Sequence, residues 1–248
     1  MTNKENHDAY RRFATYYDGL VGKHYYNNLS DLFTKFMRHF PEKTHHLDIG
    51  CGTGYLLRHS QAMNFIVQGI DISKEMISIA RRNNPGINIY QGNIMDFNKK
   101  SFSIITANND VLNHICSAYG LHSVFTHINQ ILLPGGIFFS DAVSAYDILH
   151  NWENCTHLYT DHSVFKCNVK HKIIDESKPT GLMTRHWEFN INGKWEKSDV
   201  ESEVVRGITP EEIIENSLET GFIAKLFDWD KGGSCKPDTI RIGIHLKR

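Results

Sequence analysis

The chain lacks any long hydrophobic run. Even Gly136-Ile-Phe-Phe-Ser-Asp-Ala-Val143 is short and broken by Ser140 and Asp141, well below the roughly 20 apolar residues that span a bilayer. No apolar h-region follows the polar opening Met1-Thr-Asn-Lys-Glu-Asn-His-Asp8, so no secretory signal is read and a cytoplasmic location is expected. An excess of one charge is missing too. The 27 Lys and Arg stand against 28 Asp and Glu, a net charge of -1, which disfavours the basic surface that nucleic-acid binding requires. The five cysteines, at 51, 116, 155, 167 and 235, are scattered and odd in number, forming neither a disulfide framework nor the paired spacing of a zinc site. His45-His46, and His186 with Glu188, do not complete a ligand set, so no metal is expected. No internal repeat or low-complexity tract occurs, and 248 residues with 40% hydrophobic content suffice for one domain with a sizeable core.

What the chain does have is a glycine loop. His46-Leu-Asp-Ile-Gly-Cys-Gly-Thr-Gly-Tyr55 is an apolar approach, an acid and three alternate glycines, the pattern of a strand turning sharply into a helix. Glycine there lets the backbone approach a ligand, and the helix N-terminus presents unpaired N-H groups. The spacing is Gly-x-Gly-x-Gly, unlike the Gly-x-Gly-x-x-Gly of dinucleotide sites. A carboxylate at Asp48 would repel a pyrophosphate and suits a cationic ligand. A second strand-like run, Phe65 to Ile72, ends in an acid, Asp71, about 20 residues after the loop, where doubly wound folds hydrogen-bond a ribose.

Strand-like and helix-like runs alternate from 45 to 143, with strands read at 46–50, 65–72, 87–91, 103–107 and 137–141. Alternation of this kind predicts an α/β fold, a parallel sheet covered on both faces. Two helices are read between 8 and 40. Ser73 caps the helix through Met76, Ile77 and Ala80, and Pro134-Gly135-Gly136 stops the helix carrying Val124, Ile128 and Leu132. Period-two patterning in 164–170, 183–191 and 200–206, with Asn192-Gly193 as a hairpin turn, predicts an inserted antiparallel meander. Thr209-Pro-Glu-Glu212 opens a further helix, and 222–228 and 239–247 read as closing strands.

Together Leu47-Asp-Ile-Gly-Cys-Gly-Thr-Gly54, Gly69-Ile-Asp-Ile-Ser73 and Gln91-Gly-Asn-Ile-Met-Asp-Phe97 resemble the class I, Rossmann-like S-adenosylmethionine-dependent methyltransferases of the small-molecule type. The resemblance covers most of 8–143 and, more weakly, 203–247. It implies a mostly parallel seven-stranded sheet with helices on both faces, the last two strands forming an antiparallel pair at one edge, plus the antiparallel lobe. As one methyltransferase domain, the chain then divides into an N-terminal helical lid (1–42), a cofactor-binding core (43–143), a substrate lobe (144–206) and closing elements (207–248).

The resemblance also implies roles. Gly50, Cys51, Gly52 and Gly54 pack against the methionine part of S-adenosylmethionine, Asp48 orders that loop, and Asp71 takes both ribose hydroxyls. Ile72 and Met76 offer apolar faces to the adenine, although either also reads as core. Asn93 and Ile94 stand where the family has an acid and a backbone N-H against the adenine. Asn93 can accept from the amine but lacks charge, and Asp96 is the alternative partner. Asn108 and Asn109 face the amino acid moiety. Phe13-Ala-Thr-Tyr-Tyr-Asp18 is similar to a lid segment whose tyrosine lies near the sulfonium, pointing to Tyr17, with Lys23 a candidate for the cofactor carboxylate. His114 reads either as a packed histidine or as a general base toward a small-molecule acceptor, with Tyr17 as a possible second catalytic group. Arg206 binds an anionic substrate or a carboxylate of the protein. The expected reaction is transfer of the methyl group to nitrogen or oxygen, leaving S-adenosylhomocysteine. A non-catalytic S-adenosylmethionine-binding module and an NAD-dependent oxidoreductase are the competing readings. Asn108-Asn-Asp-Val111 stands where RNA, DNA and protein-glutamine enzymes carry an Asn/Asp-Pro-Pro-aromatic tetrad, which disfavours them.

Overall fold

A computed structural model describes residues 10–98 and 101–248, with the side chains of residues 21–24 and of Asp199 outside that description. The five strands read between 45 and 143 and the two closing strands become the seven strands of one sheet. These are β1 (His45–Ile49), β2 (Ile66–Asp71), β3 (Asn88–Gln91), β4 (Phe102–Ala107), β5 (Leu132–Val143), β10 (Ile223–Asp228) and β11 (Arg241–Lys247). Their order is β10-β11-β5-β4-β1-β2-β3. All pairings from β5 to β3 are parallel, and β11 runs antiparallel to both β5 and β10. The order reverses between β1 and β4, so the ends of these strands open a crevice, the place where open α/β sheets bind ligands.

Alternation along the strands supplies both faces with apolar residues. On β4, Ile104 packs to one side and Ile105 to the other, and on β5 Phe139 and Phe138 divide in the same way. One face is covered by α1 (Phe13–Tyr17), α2 (Lys23–Met37), α3 (Tyr55–Ala62) and α4 (Lys74–Asn83). The other carries α5 (Val111–Tyr119), α6 (Leu121–Ile131) and α8 (Pro210–Glu219). A π-helical turn, Asp18–Gly22, joins α1 to α2. No helix among the described residues is long and apolar enough to cross a membrane.

The second sheet is antiparallel, in the order β6-β7-β8-β9, from β6 (Thr156–Asp161), β7 (Phe165–Asp175), β8 (Thr180–Ile191) and β9 (Lys194–Arg206). Two elements here differ from the sequence reading. The edge strand β6 shows no apolar alternation because most of its side chains face solvent, and α7 (Ala145–Asn151), capped by the Ser144 hydroxyl, was not read at all. Leu132 is not the last turn of α6 but the first residue of β5, where it pairs with Phe102 before a register shift takes up Pro134-Gly135-Gly136.

Candidate active site

The site grows from the turn after β1. Gly50 has φ +62°, and a Cβ there would lie 2.3 Å from a Val111 methyl, so both conformation and space demand glycine. Gly52, at φ +52°, donates its N-H to Asp71 Oδ2 at 2.8 Å, while Asp71 Oδ1 accepts from the Ser73 N-H at 2.8 Å. One carboxylate at the end of β2 therefore ties the glycine loop to the N-terminus of α4. Burial pushes its pKa up, and those backbone donors pull against the shift.

Beneath the loop runs a buried polar chain. The Thr106 hydroxyl donates to Asp48 Oδ1 at 2.6 Å, so His46 Nε2, 2.8 Å from the same hydroxyl, is its donor. His46 Nδ1 then accepts from Ser60 at 2.8 Å. Burial keeps His46 neutral, its pKa lowered to about 3, and raises the Asp48 carboxyl to about 7.

The crevice is a pocket of about 1010 Å³ of empty space, its mouth included. Of the residues singled out from sequence, Tyr17, Gly50, Gly52, Asp71, Ile72, Met76, Asn93, Ile94, Asn108, Asn109 and His114 line it. Asp48, Cys51 and Gly54 stand behind that wall. Asp48 acts from below through Thr106, Cys51 packs toward Gly69, and Gly54 caps α3. The Lys23 side chain lies outside the described residues. Asn93 departs from its expected geometry: its Oδ1 accepts from the Met95 N-H at 3.0 Å, capping a short 3₁₀ turn, and its amide donates to the Tyr119 hydroxyl at 2.5 Å. Asp96 is exposed and outside the pocket lining.

Tyr17 does not have the makings of a base. Burial pushes its phenol well above the ordinary value, and its oxygen accepts from Tyr26 and from the Asn109 amide. Arg206 settles on a carboxylate of the protein, Glu212 Oε1 at 2.6 Å.

Three features were not read from the sequence. The turn after β4 places Asn109 and Asp110 at φ +61° and +67°, a strained conformation for side chains other than glycine. A charged network holds it there. Arg241 donates to Asp110 at 2.6 Å and to Asp141, and Asp141 Oδ1 accepts from the Tyr25 hydroxyl at 2.9 Å and the Asn109 N-H at 2.6 Å.

Second, β9 sends Glu201 and Glu203 from the same face. Glu201 accepts the Arg12 N-H at 2.5 Å, at the start of α1, and the Trp187 indole at 2.8 Å. Glu203 accepts the Tyr10 hydroxyl at 2.8 Å, pairs with Arg185, and lies 3.3 Å from His114 Nε2. Burial alone would raise the Glu203 carboxyl, but Arg185, His114 and the Tyr10 hydroxyl hold it below its ordinary range. The alternation of Glu201, Glu203 and Val205 is the available signal in the sequence.

Third, Cys155, His157 and His171 come together on the lobe with their ligand atoms within 4.8 Å of one another. Cys155 directly precedes β6 and His157 lies on it, whereas His171 arrives only through antiparallel pairing of β6 with β7, which sequence spacing does not reveal.

Comparison with known proteins bears on this site. Residues 47–136 match a family model described as a methyltransferase domain. A Streptomyces fradiae protein named dTDP-3-amino-3,6-dideoxy-alpha-D-glucopyranose N,N-dimethyltransferase is 32% identical over 117 residues, 47% of this chain. The match spans about half of that relative, 46% of its length. In three dimensions, an S-adenosylmethionine-dependent methyltransferase from Clostridium acetobutylicum aligns with a TM-score of 0.79 at 23% identity, covering 96% of this chain and 98% of that one. SAM-bound CalS10, an amino pentose methyltransferase from Micromonospora echinaspora, aligns at 0.69 and 15% identity, covering 90% and 89%. The glycine turn and the acid that closes it thus lie within residues similar to a methyltransferase domain, on a fold shared with solved S-adenosylmethionine-dependent methyltransferases.

Proposed function

We propose that this chain transfers a methyl group from S-adenosylmethionine to an amine of a small-molecule acceptor, with an amino sugar of the kind its relatives are named for as the first choice. Asn108 carries the reading. It is 6% exposed, lines the pocket, and neither its amide nitrogen nor its carbonyl oxygen has a partner. An unsatisfied buried polar group costs about 1–3 kcal/mol, so this amide is built to meet a polar ligand. The donor set suits the cofactor. Gly50 and Gly52 offer bare backbone, Asp71 a carboxylate for ribose hydroxyls, and Ile72, Met76 and Ile94 an apolar wall for the adenine.

When bound, S-adenosylmethionine supplies an electrophilic methyl on a sulfonium. The chain's own residues have to align and deprotonate the acceptor, and alignment alone can contribute roughly 7–11 kcal/mol. Tyr17, its phenol kept protonated, presents an electron-rich ring for cation-π attraction worth about 0.5–2 kcal/mol. His114 is the base. With Glu203 ionised, Nε2-H donates to that carboxylate, which leaves Nδ1, buried and without a partner, as a lone pair able to take the acceptor's proton. We assign 144–206 as the acceptor lobe, because its Glu203 orients this histidine, and the cytoplasm as its location.

The test pairs calorimetry with turnover. S-adenosylhomocysteine should bind and NAD should not, and labelled methyl should appear on dTDP-linked amino sugars. His114→Ala should lower kcat by about 10²- to 10⁴-fold with little change in cofactor affinity. Binding of NAD would overturn the cofactor, and cofactor binding without turnover on any amine would leave the non-catalytic reading.

A further inference from the structure

We propose that Cys155, His157 and His171 form a site for a zinc-class divalent transition-metal ion, with three protein ligands and a fourth position open to water. The site lies on the antiparallel lobe and stands independently of the methyl-transfer reading.

The geometry is that of a ligand set. Cys155 Sγ lies 3.3 Å from His157 Nε2, and in a tetrahedral site with metal-sulfur and metal-nitrogen bonds of about 2.3 and 2.0–2.1 Å, such ligand atoms sit roughly 3.3–3.6 Å apart. The third ligand atom falls within 4.8 Å of both, a gap that a small torsional change closes. His157 is exposed and has the freedom to make it.

The strands explain why the three meet. Cys155 stands one residue before β6 and His157 within it, and their ligand atoms meet across that step. Pairing of Thr156 with Lys170 puts His171 opposite Cys155, and the His171 N-H donates to the Cys155 carbonyl at 2.9 Å. The same carbonyl lies 3.4 Å from His171 Nδ1. A metal-binding histidine commonly gives its second ring N-H to a backbone carbonyl, which fixes the tautomer and aims Nε2 at the ion. The Trp152 ring stands edge-on to His171 at 4.8 Å and fixes the ring from its other side.

One thiolate and two imidazoles suit borderline-soft ions over calcium or magnesium. Such an ion would clip β6, an edge strand with mostly exposed side chains, to β7. Among the described residues this is the one group of three such ligands.

Titration of the full chain with Co²⁺ tests the proposal. One equivalent should give the intense visible bands of four-coordinate cobalt together with thiolate-to-cobalt charge transfer, both abolished by Zn²⁺. Cys155→Ser should remove the charge-transfer band, and His157→Ala and His171→Ala should each weaken binding by more than about tenfold. Cys235→Ser should change nothing. Circular dichroism without metal should be the same for all variants, so that loss of binding is not loss of fold. Absence of the charge-transfer band in the wild type, or its survival in Cys155→Ser, would overturn the site.

Discussion

Two regions reach the same pocket by different chemistry. The turn after β1 is made of backbone: glycines at positive φ, a helix start, and one carboxylate that accepts two N-H groups. The inner face of β8 and β9 is made of charge. There Glu201 and Glu203 hold the entry to α1, the Tyr10 hydroxyl, the Trp187 indole and His114, with Arg185 as counter-ion. A backbone site depends on residues adjacent in sequence, so each contact is individually modest. A charge site depends on partners nearly two hundred residues apart in the case of Tyr10 and Glu203, and losing one member strands the others in a poorly hydrated place.

The largest effect should therefore fall in the lobe. Glu203→Ala leaves Arg185, 4% exposed, without its carboxylate, and removal of one partner from a buried pair costs about 3–5 kcal/mol. Denaturant unfolding should show that loss; a change below about 1 kcal/mol would mean the lobe is no more tightly coupled than the turn.

Next comes a pH effect under the glycine loop. The Asp48 carboxyl, raised to about 7 in the fold from an ordinary 3.8, binds more protons folded than unfolded between those values. Its contribution to stability therefore declines as pH rises through that window. Asp48→Asn cannot ionise and should gain on the wild type by up to about 4 kcal/mol between pH 4 and 7, then run parallel above it. Unfolding curves that stay parallel from pH 4 to 7 would show that Asp48 is not held protonated.

A smaller change is expected for Asp71→Ala, which removes a charged acceptor worth about 1.5–3 kcal/mol per hydrogen bond. Calorimetry should read this as roughly a 10- to 100-fold weaker affinity for S-adenosylhomocysteine. Unchanged affinity would detach Asp71 from the ribose and leave it only its two backbone donors.

The smallest effect belongs to a purely local feature. Thr209 caps α8 by accepting the Glu212 N-H at 3.1 Å, and Thr209→Ala should cost about 1 kcal/mol in thermal unfolding. A cost as large as that of Glu203→Ala would erase the contrast between local and long-range contacts.

These differences also mark what could be read early. The Ser73 and Thr209 caps, the Gly50 turn and the β10–β11 pair follow from neighbouring residues or from a family pattern, and the structure carries them. Edge strand β6 was missed because a strand facing solvent has no reason to alternate. The apolar spacing of Leu132 continues that of Ile128 and predicts a helix, while pairing with Phe102 claims it for the sheet. Asn93 was read as an acceptor for a ligand because its residue type allows it. Whether its oxygen instead caps a turn is decided by backbone geometry three residues long.

The sequence by itself determined the α/β alternation, the glycine turn with Asp71 beyond it, and the kind of cofactor such a turn suits, because each depends on period, residue type and short spacing. Only the tertiary structure decided that Arg241 and Asp141 hold Asn109 in a strained conformation, that Glu203 aims His114, and that His171 meets Cys155. Those contacts depend on strand pairing and on the packing of β9 against α5, and their free energy comes from burial and pairing that exist only in the folded chain.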